Sequence, residues 1–243
     1  MVESAGWLYP HKEDTVKTPL IAALVLAAAL PAAARGANPS FEQRCEQEMK
    51  PMFEVSLRES GYTVDNTVSS RVLNNRSVHH YAGEQMLGMT ALEARTVVSF
   101  DGPALADKAS GRECVAPRIS VALTFPKMSV FVAREFAPAS CSYRQVLEHE
   151  LRHVQLYRDQ FPGLVERVRH GLAARFGGKP LYADHGKGLE ALEADIDNWL
   201  RPFIKAEIGR MEVAQAAMDT PDESFRLSIA CNGELANNLG NRY

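Results

Sequence analysis

The spacing of apolar residues changes twice along the chain. Behind Ser40 and Gln43, a pair at capping-box spacing, Phe41, Cys45, Met49, Met52 and Phe53 recur at helical intervals and predict an N-terminal helix bent at Pro51. From Tyr62 to Phe136 the pattern shortens to β-rich runs, "YTVDNTV", "ARTVVSF", "RISVALTF" and "MSVFVAREF", parted by Gly, Pro and Asp. These predict a mostly antiparallel sheet. The helical period then returns. Ser142 and Gln145 repeat the capping-box spacing and start a helix that runs to Phe161, where Pro162 and Gly163 are expected to stop it. A second helix, "GLVERVRHGLAARF", ends at Gly177 and Gly178, and a long one lies within Gly188 to Met218, adjusted at Pro202. Strands followed by helices make an α+β domain, here a single one over 35–243.

The segment before it is of another kind. Leu20 to Ala34 reads "LIAALVLAAALPAAA", an apolar run behind Lys17, broken by Pro31 and ending in small residues. This is the layout of a secretory signal peptide, too short for the ~20 apolar residues of a spanning helix. Ala32-Ala33-Ala34 supplies the cleavage site, so 1–34 is expected to be an N-terminal extension plus signal. No stable membrane anchor is expected after cleavage. Residues 1–15 are polar, mixed in charge and interrupted by Pro10, which points to a translation start at Val16. The alanine-rich signal suits a bacterial protein, secreted or periplasmic.

Charge and cysteine usage narrow the picture further. A net charge of -3 over 243 residues lacks the basic excess that phosphate-backbone binding needs, so nucleic acid is not an expected partner. Cys45, Cys114, Cys141 and Cys231 are even in number in an exported chain, and none belongs to a C-x-x-C pair. Two disulfides are the natural reading, and cysteine-ligated zinc is not. Of three connectivities, Cys45 with Cys231 and Cys114 with Cys141 is the expected one, because it ties the termini together and pins a strand to the helix at Ser142.

That helix carries the chemistry, in "VLEHELRHVQLYRD". His149 and His153 project about 40° apart and one turn along, so two imidazole nitrogens reach one metal ion. Glu150 lies between them. Val146, Leu147, Leu151, Val154, Tyr157 and Phe161 fall within an arc of about 140° that marks the buried face, and Glu150 falls inside it. A carboxylate there without partners costs several kcal/mol or becomes neutral, so its place calls for a metal, water or charge partner. Zn2+ lowers the pKa of a bound water toward ~7, and a glutamate beside it serves as general base.

"HELRH" on a helix after a β-rich segment resembles the zincin metallopeptidases. The resemblance implies a zincin-like α+β fold, a catalytic Glu150, a His149 and His153 metal pair, and a peptide or protein substrate. The metzincin branch would need a glycine at Leu156, which instead lets the helix continue and turns Asp159 away. In "GLEALEADIDNWL", Glu193, Ala194 and Asp197 are similar to the E-A-x-x-D pattern of the gluzincin branch. That similarity implies Glu193 as third ligand, with Asp197 orienting His149. Glu190 is the rival ligand. It also implies an edge strand ahead of the motif helix that binds extended peptide, a place for "RISVALTF" or "MSVFVAREF".

The expected function is thus an exported zinc metallopeptidase. Its alternative is an exported zincin-like domain with a binding or envelope-assembly role and no turnover. His79 and His80, adjacent in an expected strand, face opposite sides and cannot both enter one site. His170, His185 and Tyr157 remain open as groups that could stabilise an oxyanion.

Overall fold

The computed structural model describes residues 38–76 and 85–240. The chain divides into two units, Met1–Asn38 and Pro39–Tyr243, and the second carries every element below. The expected signal segment, the Val16 start, His79 and His80 lie outside the described residues.

Helix α1 (Phe41–Glu48) forms where the capping box predicts it. Gln43 N donates to Ser40 Oγ, and Ser40 N donates back to Gln43 Oε1. It ends before Pro51 instead of bending there, and the next residues form strand β1 (Met52–Glu59). In β1 the alternation of Phe53, Val55 and Leu57 with Glu54, Ser56 and Arg58 wins over the helical spacing of Met49, Met52 and Phe53. After β2 (Tyr62–Asp65), α2 (Ser70–Arg76), β3 (Gly88–Ala91), β4 (Arg95–Asp101), β5 (Ala104–Asp107) and β6 (Arg112–Val115) come the two central strands, β7 (Arg118–Phe125) and β8 (Met128–Val132).

The strands make three three-stranded sheets, ordered β1-β7-β4, β2-β8-β3 and, with β9 (Leu181–Asp184), β5-β6-β9. β1 and β2 run parallel to β7 and β8, so the first two sheets are mixed, not mostly antiparallel. Neither β7 nor β8 can serve as the expected peptide-binding edge, because each has a partner on both sides. In the second sheet β3 is at the edge.

Helix α3 spans Cys141–Phe176, 36 residues, so the stop expected at Pro162 does not occur. A proline inside a helix removes one backbone bond and costs about 3 kcal/mol. Here Val154, Tyr157, Phe161, Leu164, Val168, Leu172 and Phe176 keep one buried stripe across it, and their packing holds the helix through the break. Phe161 stacks on Phe125 of β7 at 4.4 Å between ring centroids. The N-cap is Ser140, whose Oγ accepts from Tyr143 N, and not Ser142, which is buried.

Helix α4 (Gly188–Asp195) runs through a π-helical turn (Ile196–Leu200) into α5 (Arg201–Ala216). The wide turn sits directly before Pro202, whose missing N–H removes an ordinary i to i−4 bond at that point. α5 packs antiparallel to α3, with Phe203 against Gly171. A Cβ at Gly171 would stand 2.5 Å from the Phe203 ring, so a side chain there would wedge the helices apart.

Helix α6 (Pro221–Gly240) is interrupted by left-handed residues Cys231, Asn232 and Gly233. Among the described residues no helix is long and apolar enough to cross a membrane.

Both disulfides are present, but with other partners than expected. Cys45 of α1 bonds to Cys114 of β6, and Cys141 at the start of α3 bonds to Cys231 of α6. Helix α1 packs on the third sheet, where Arg112 of β6 meets Glu42, Phe41 and Tyr182, and this brings Cys45 to Cys114 instead of to the C-terminal helix. The first bond is fully buried; in the second, Cys141 is exposed.

In the same sheet, buried Glu113 of β6 accepts from Gly186 N at 2.8 Å and Gly188 N at 2.6 Å, fixing the turn into α4. The amide of Gly186, helped by that of Gly188 and opposed by burial, holds its carboxyl below the usual 4.5. A depressed folded pKa stabilises the fold above the unfolded value and loses that contribution as pH falls through the folded one. Thermal melts between pH 6 and 3 are therefore expected to show the Tm advantage of the native chain over Glu113→Gln shrinking as the solution is acidified. An advantage that is flat with pH would contradict this.

Candidate metal centre

The two histidines of α3 stand one turn apart, both buried, with ring centroids 4.9 Å apart and planes at 74°. Their Nε2 atoms are 3.1 Å apart. The loop between α5 and α6 brings in Asp219, whose Oδ1 lies 3.0 Å from each Nε2. Among the described residues, His149, His153 and Asp219 are the group whose ligand atoms converge in a way that could hold a metal ion.

The outer ring nitrogens are held by neighbouring side chains. His153 Nδ1 donates to Gln215 Oε1 of α5 at 2.7 Å. His149 Nδ1 lies 3.0 Å from Glu223 Oε1 of α6, an acceptor when ionised, and 3.0 Å from Arg152 Nη2, a donor. Glu223 is held in turn by Arg152 and by Arg226, at 2.8 and 2.7 Å for the latter. In the neutral His153 ring the Nε2 lone pair therefore faces His149 Nε2 and the Asp219 carboxylate. Two ring nitrogens and a carboxylate oxygen within 3.0 to 3.1 Å of one another form a site that favours a cation, whether a proton or a metal ion.

The proton affinities point to the same attraction for positive charge. Burial disfavours charging either ring, but for His149 the bonds and charges of Asp219, Glu150 and Glu223 outweigh it, and its pKa rises. For His153, Asp219, Glu150 and Gln215 outweigh burial in the same way. Asp219 is partly buried, which opposes ionisation, yet bonds to both histidines hold its carboxyl well below the usual range. Arg226 first, and then His149 and Arg152, do the same for Glu223 against its own desolvation.

Glu150 is 4 % exposed, and its burial raises its pKa while both histidines act against that rise. Thr90 of β3 donates from Oγ1 to Glu150 Oε2 at 2.9 Å, and to the Glu150 carbonyl at 3.1 Å. Two residues earlier in β3, the backbone of Gly88 presses on the same side chain. A Cβ there would stand 2.5 Å from Glu150 Oε1 and 2.7 Å from Val146 Cγ1. Strand β3 thus sets where this carboxylate points.

The acids of α4 and the turn after it are not brought to the histidines. Glu193 is exposed, because the helix buries its Leu192, Ile196 and Leu200 side and leaves Glu193 on the solvated one. The rival Glu190 pairs with Lys187 at 2.6 Å, and Asp197 pairs with Arg201 at 2.8 Å instead of supporting His149. Asp159 takes a bond from Gln155 at 2.7 Å on the outer face of α3. Tyr157 donates to the Glu212 carboxylate, and its burial, with that charge beside it, pushes its pKa far up. His170 and His185 are exposed.

Asp219, Gln215 and Glu223 are the residues that sequence reasoning missed. One signal for them exists in "DTPDE", where Thr220 and Glu223 stand at capping-box spacing around a proline suited to a first helical turn. Only half the box forms. Thr220 Oγ1 accepts from Glu223 N at 3.2 Å, while the Glu223 carboxylate turns away to His149. The disulfide places this turn: His149 lies eight positions after Cys141 and Glu223 eight positions before Cys231, as antiparallel α3 and α6 require. Comparison of the chain with known families, with characterised proteins and with solved structures yields no match, so the reading of this centre rests on its own geometry.

Proposed function

We propose that the protein is a zinc-dependent hydrolase of zincin type that cleaves peptide bonds, exported and held together by its two disulfides. The observation that carries this reading is the convergence of His149 Nε2, His153 Nε2 and Asp219 Oδ1 beside a buried, oriented Glu150. Two imidazoles and one carboxylate suit catalytic zinc, which keeps its fourth position open. With bonds of about 2.0 to 2.1 Å, ligand atoms in a tetrahedral zinc site stand about 3.3 Å apart, close to the separations of these three atoms.

When bound, zinc would supply Lewis acidity and a water acidified toward ~7. His149 and His153 would hold it, each oriented by an outer hydrogen bond, with Asp219 completing the set. Glu150 removes the proton of the attacking water and delivers it to the leaving amine. Burial raises its basicity for the first task, and Thr90 keeps one carboxylate oxygen fixed so that the other is left for the water. Strand β3, at a sheet edge and against Glu150, offers the backbone groups along which an extended peptide would lie.

The test is metal analysis of the purified mature protein, followed by turnover of a peptide library with and without chelator. One zinc per chain and hydrolysis that chelation abolishes and zinc restores are expected. Stoichiometric zinc without turnover would favour the binding role, and absence of bound metal would overturn the reading.

Gly88→Ala provides a finer check on the role of β3. The added methyl has to displace Glu150 or Val146, at a cost of about 1–3 kcal/mol in overpacking. Zinc content is expected to stay at one per chain while kcat falls at least tenfold. Unchanged kcat would show that Glu150 needs no such support.

A further inference from the structure

The seam between α3 and α5 continues beyond the metal centre. His153 meets Gln215, Tyr157 meets Glu212, and further along the helices border an open cleft of about 280 Å³ lined by Gln160, Arg167, Arg210 and Met211. At 100° per residue, Gln160 and Arg167 fall within about 40° of His149 and His153 around the helix axis. One stripe of α3 thus carries the metal pair and then the cleft.

The cleft is cationic and preorganised. Glu207 is 2 % exposed, and its two oxygens each take one guanidinium, Oε2 from Arg167 Nε at 2.6 Å and Oε1 from Arg210 Nη1 at 2.8 Å. Two cations on one buried anion leave a net positive charge, and a terminal nitrogen on each guanidinium has no acid partner among the described residues. The Arg167 guanidinium lies across Gly163, where a Cβ would stand 3.0 Å from Nη1. Beside them, Gln160 Oε1 is buried and has no hydrogen-bond partner among the described residues. Glu212, the nearest acid along the seam, is occupied by Tyr157.

We propose that this cleft is a substrate subsite in which Arg167 and Arg210 bind a carboxylate and Gln160 Oε1 accepts a peptide N–H. As a statement about substrate it rests on the hydrolase reading above. The Arg167 guanidinium lies across Gly163, ten residues and so about 15 Å of helix beyond His153, and an extended peptide advances about 3.3 Å per residue, so the carboxylate belongs about four or five residues from the bond that is cut. It is either the C-terminal carboxylate of a short peptide or an aspartate or glutamate side chain at that distance. Bidentate guanidinium recognition serves both.

The experiment measures binding of labelled peptides by fluorescence anisotropy to zinc-loaded Glu150→Gln protein, in which turnover does not interfere. Three peptides of one apolar sequence are compared: with a free C-terminus, with an amidated C-terminus, and amidated with a glutamate four or five residues past the susceptible bond. Charge-assisted hydrogen bonds predict that the first, the third or both bind about tenfold or more tightly than the second.

Arg210→Gln, at a side chain 66 % exposed and with Arg167 still holding Glu207, is expected to erase that preference while binding of the plain amide stays the same. Arg210→Lys is expected to recover part of it. Whichever carboxylate peptide binds tightly identifies the source. Equal binding of all three peptides, or a preference that survives Arg210→Gln, overturns the subsite. A preference removed by Arg210→Gln in a protein whose native form cleaves nothing would retain the subsite and discard the hydrolase. Cleavage by the native protein without the preference would do the reverse.

Discussion

Glu150→Gln is expected to bind one zinc per chain with unchanged affinity and to lose peptide hydrolysis by a factor of about 10² to 10⁴. The amide has nearly the shape of the carboxylate and can still accept from Thr90 Oγ1, so the helix and the β3 contact survive. What it lacks is a lone pair basic enough to take a proton from water. Burial of an ionisable carboxylate is also a standing cost to the fold. The neutral amide removes that cost, and a melting temperature equal to or above that of the native chain should accompany the loss of activity. Metal analysis, steady-state kinetics and a thermal melt on one preparation check all three. Retained turnover would remove Glu150 from the chemistry, and lost zinc would make it a structural support of the site.

The second large effect concerns the proposed third ligand. Asp219→Ala is expected to weaken zinc binding by more than the 10- to 100-fold typical of supporting residues. Glu223→Gln, which changes only the partner of His149 Nδ1, should fall within that range. Glu193→Ala and Glu190→Ala should leave zinc affinity as it is, because both carboxylates point to solvent on α4. Competition with a chromophoric chelator ranks the four variants. A zinc affinity that depends on Glu193 and not on Asp219 would mean that the α5–α6 loop moves aside when metal binds and that the sequence comparison with gluzincins was the better guide.

Local periodicity made part of this molecule legible. The capped α1, strands β4, β7 and β8, the helical placement of His149, Glu150 and His153, and the burial of Glu150 all follow from spacing within a dozen residues. What escaped is nonlocal. β1 is a strand because β7, more than sixty residues later, lies parallel to it. α3 crosses Pro162 because β-sheet side chains such as Phe125 pack against its stripe. Asp219 precedes a helix start that "DTPDE" signals, but nothing local distinguishes it as a ligand from other exposed acids until the fold brings His149 and His153 to it. The cysteine pairing was likewise a matter of which layer α1 covers.

That pairing has a topological consequence. His149, Glu150, His153, Gln215, Asp219 and Glu223 all lie between Cys141 and Cys231, so backbone and disulfide together enclose them in one covalent ring. A ring cut once becomes a string that is still whole. A single backbone break anywhere in it leaves every group of the candidate metal centre in one connected molecule.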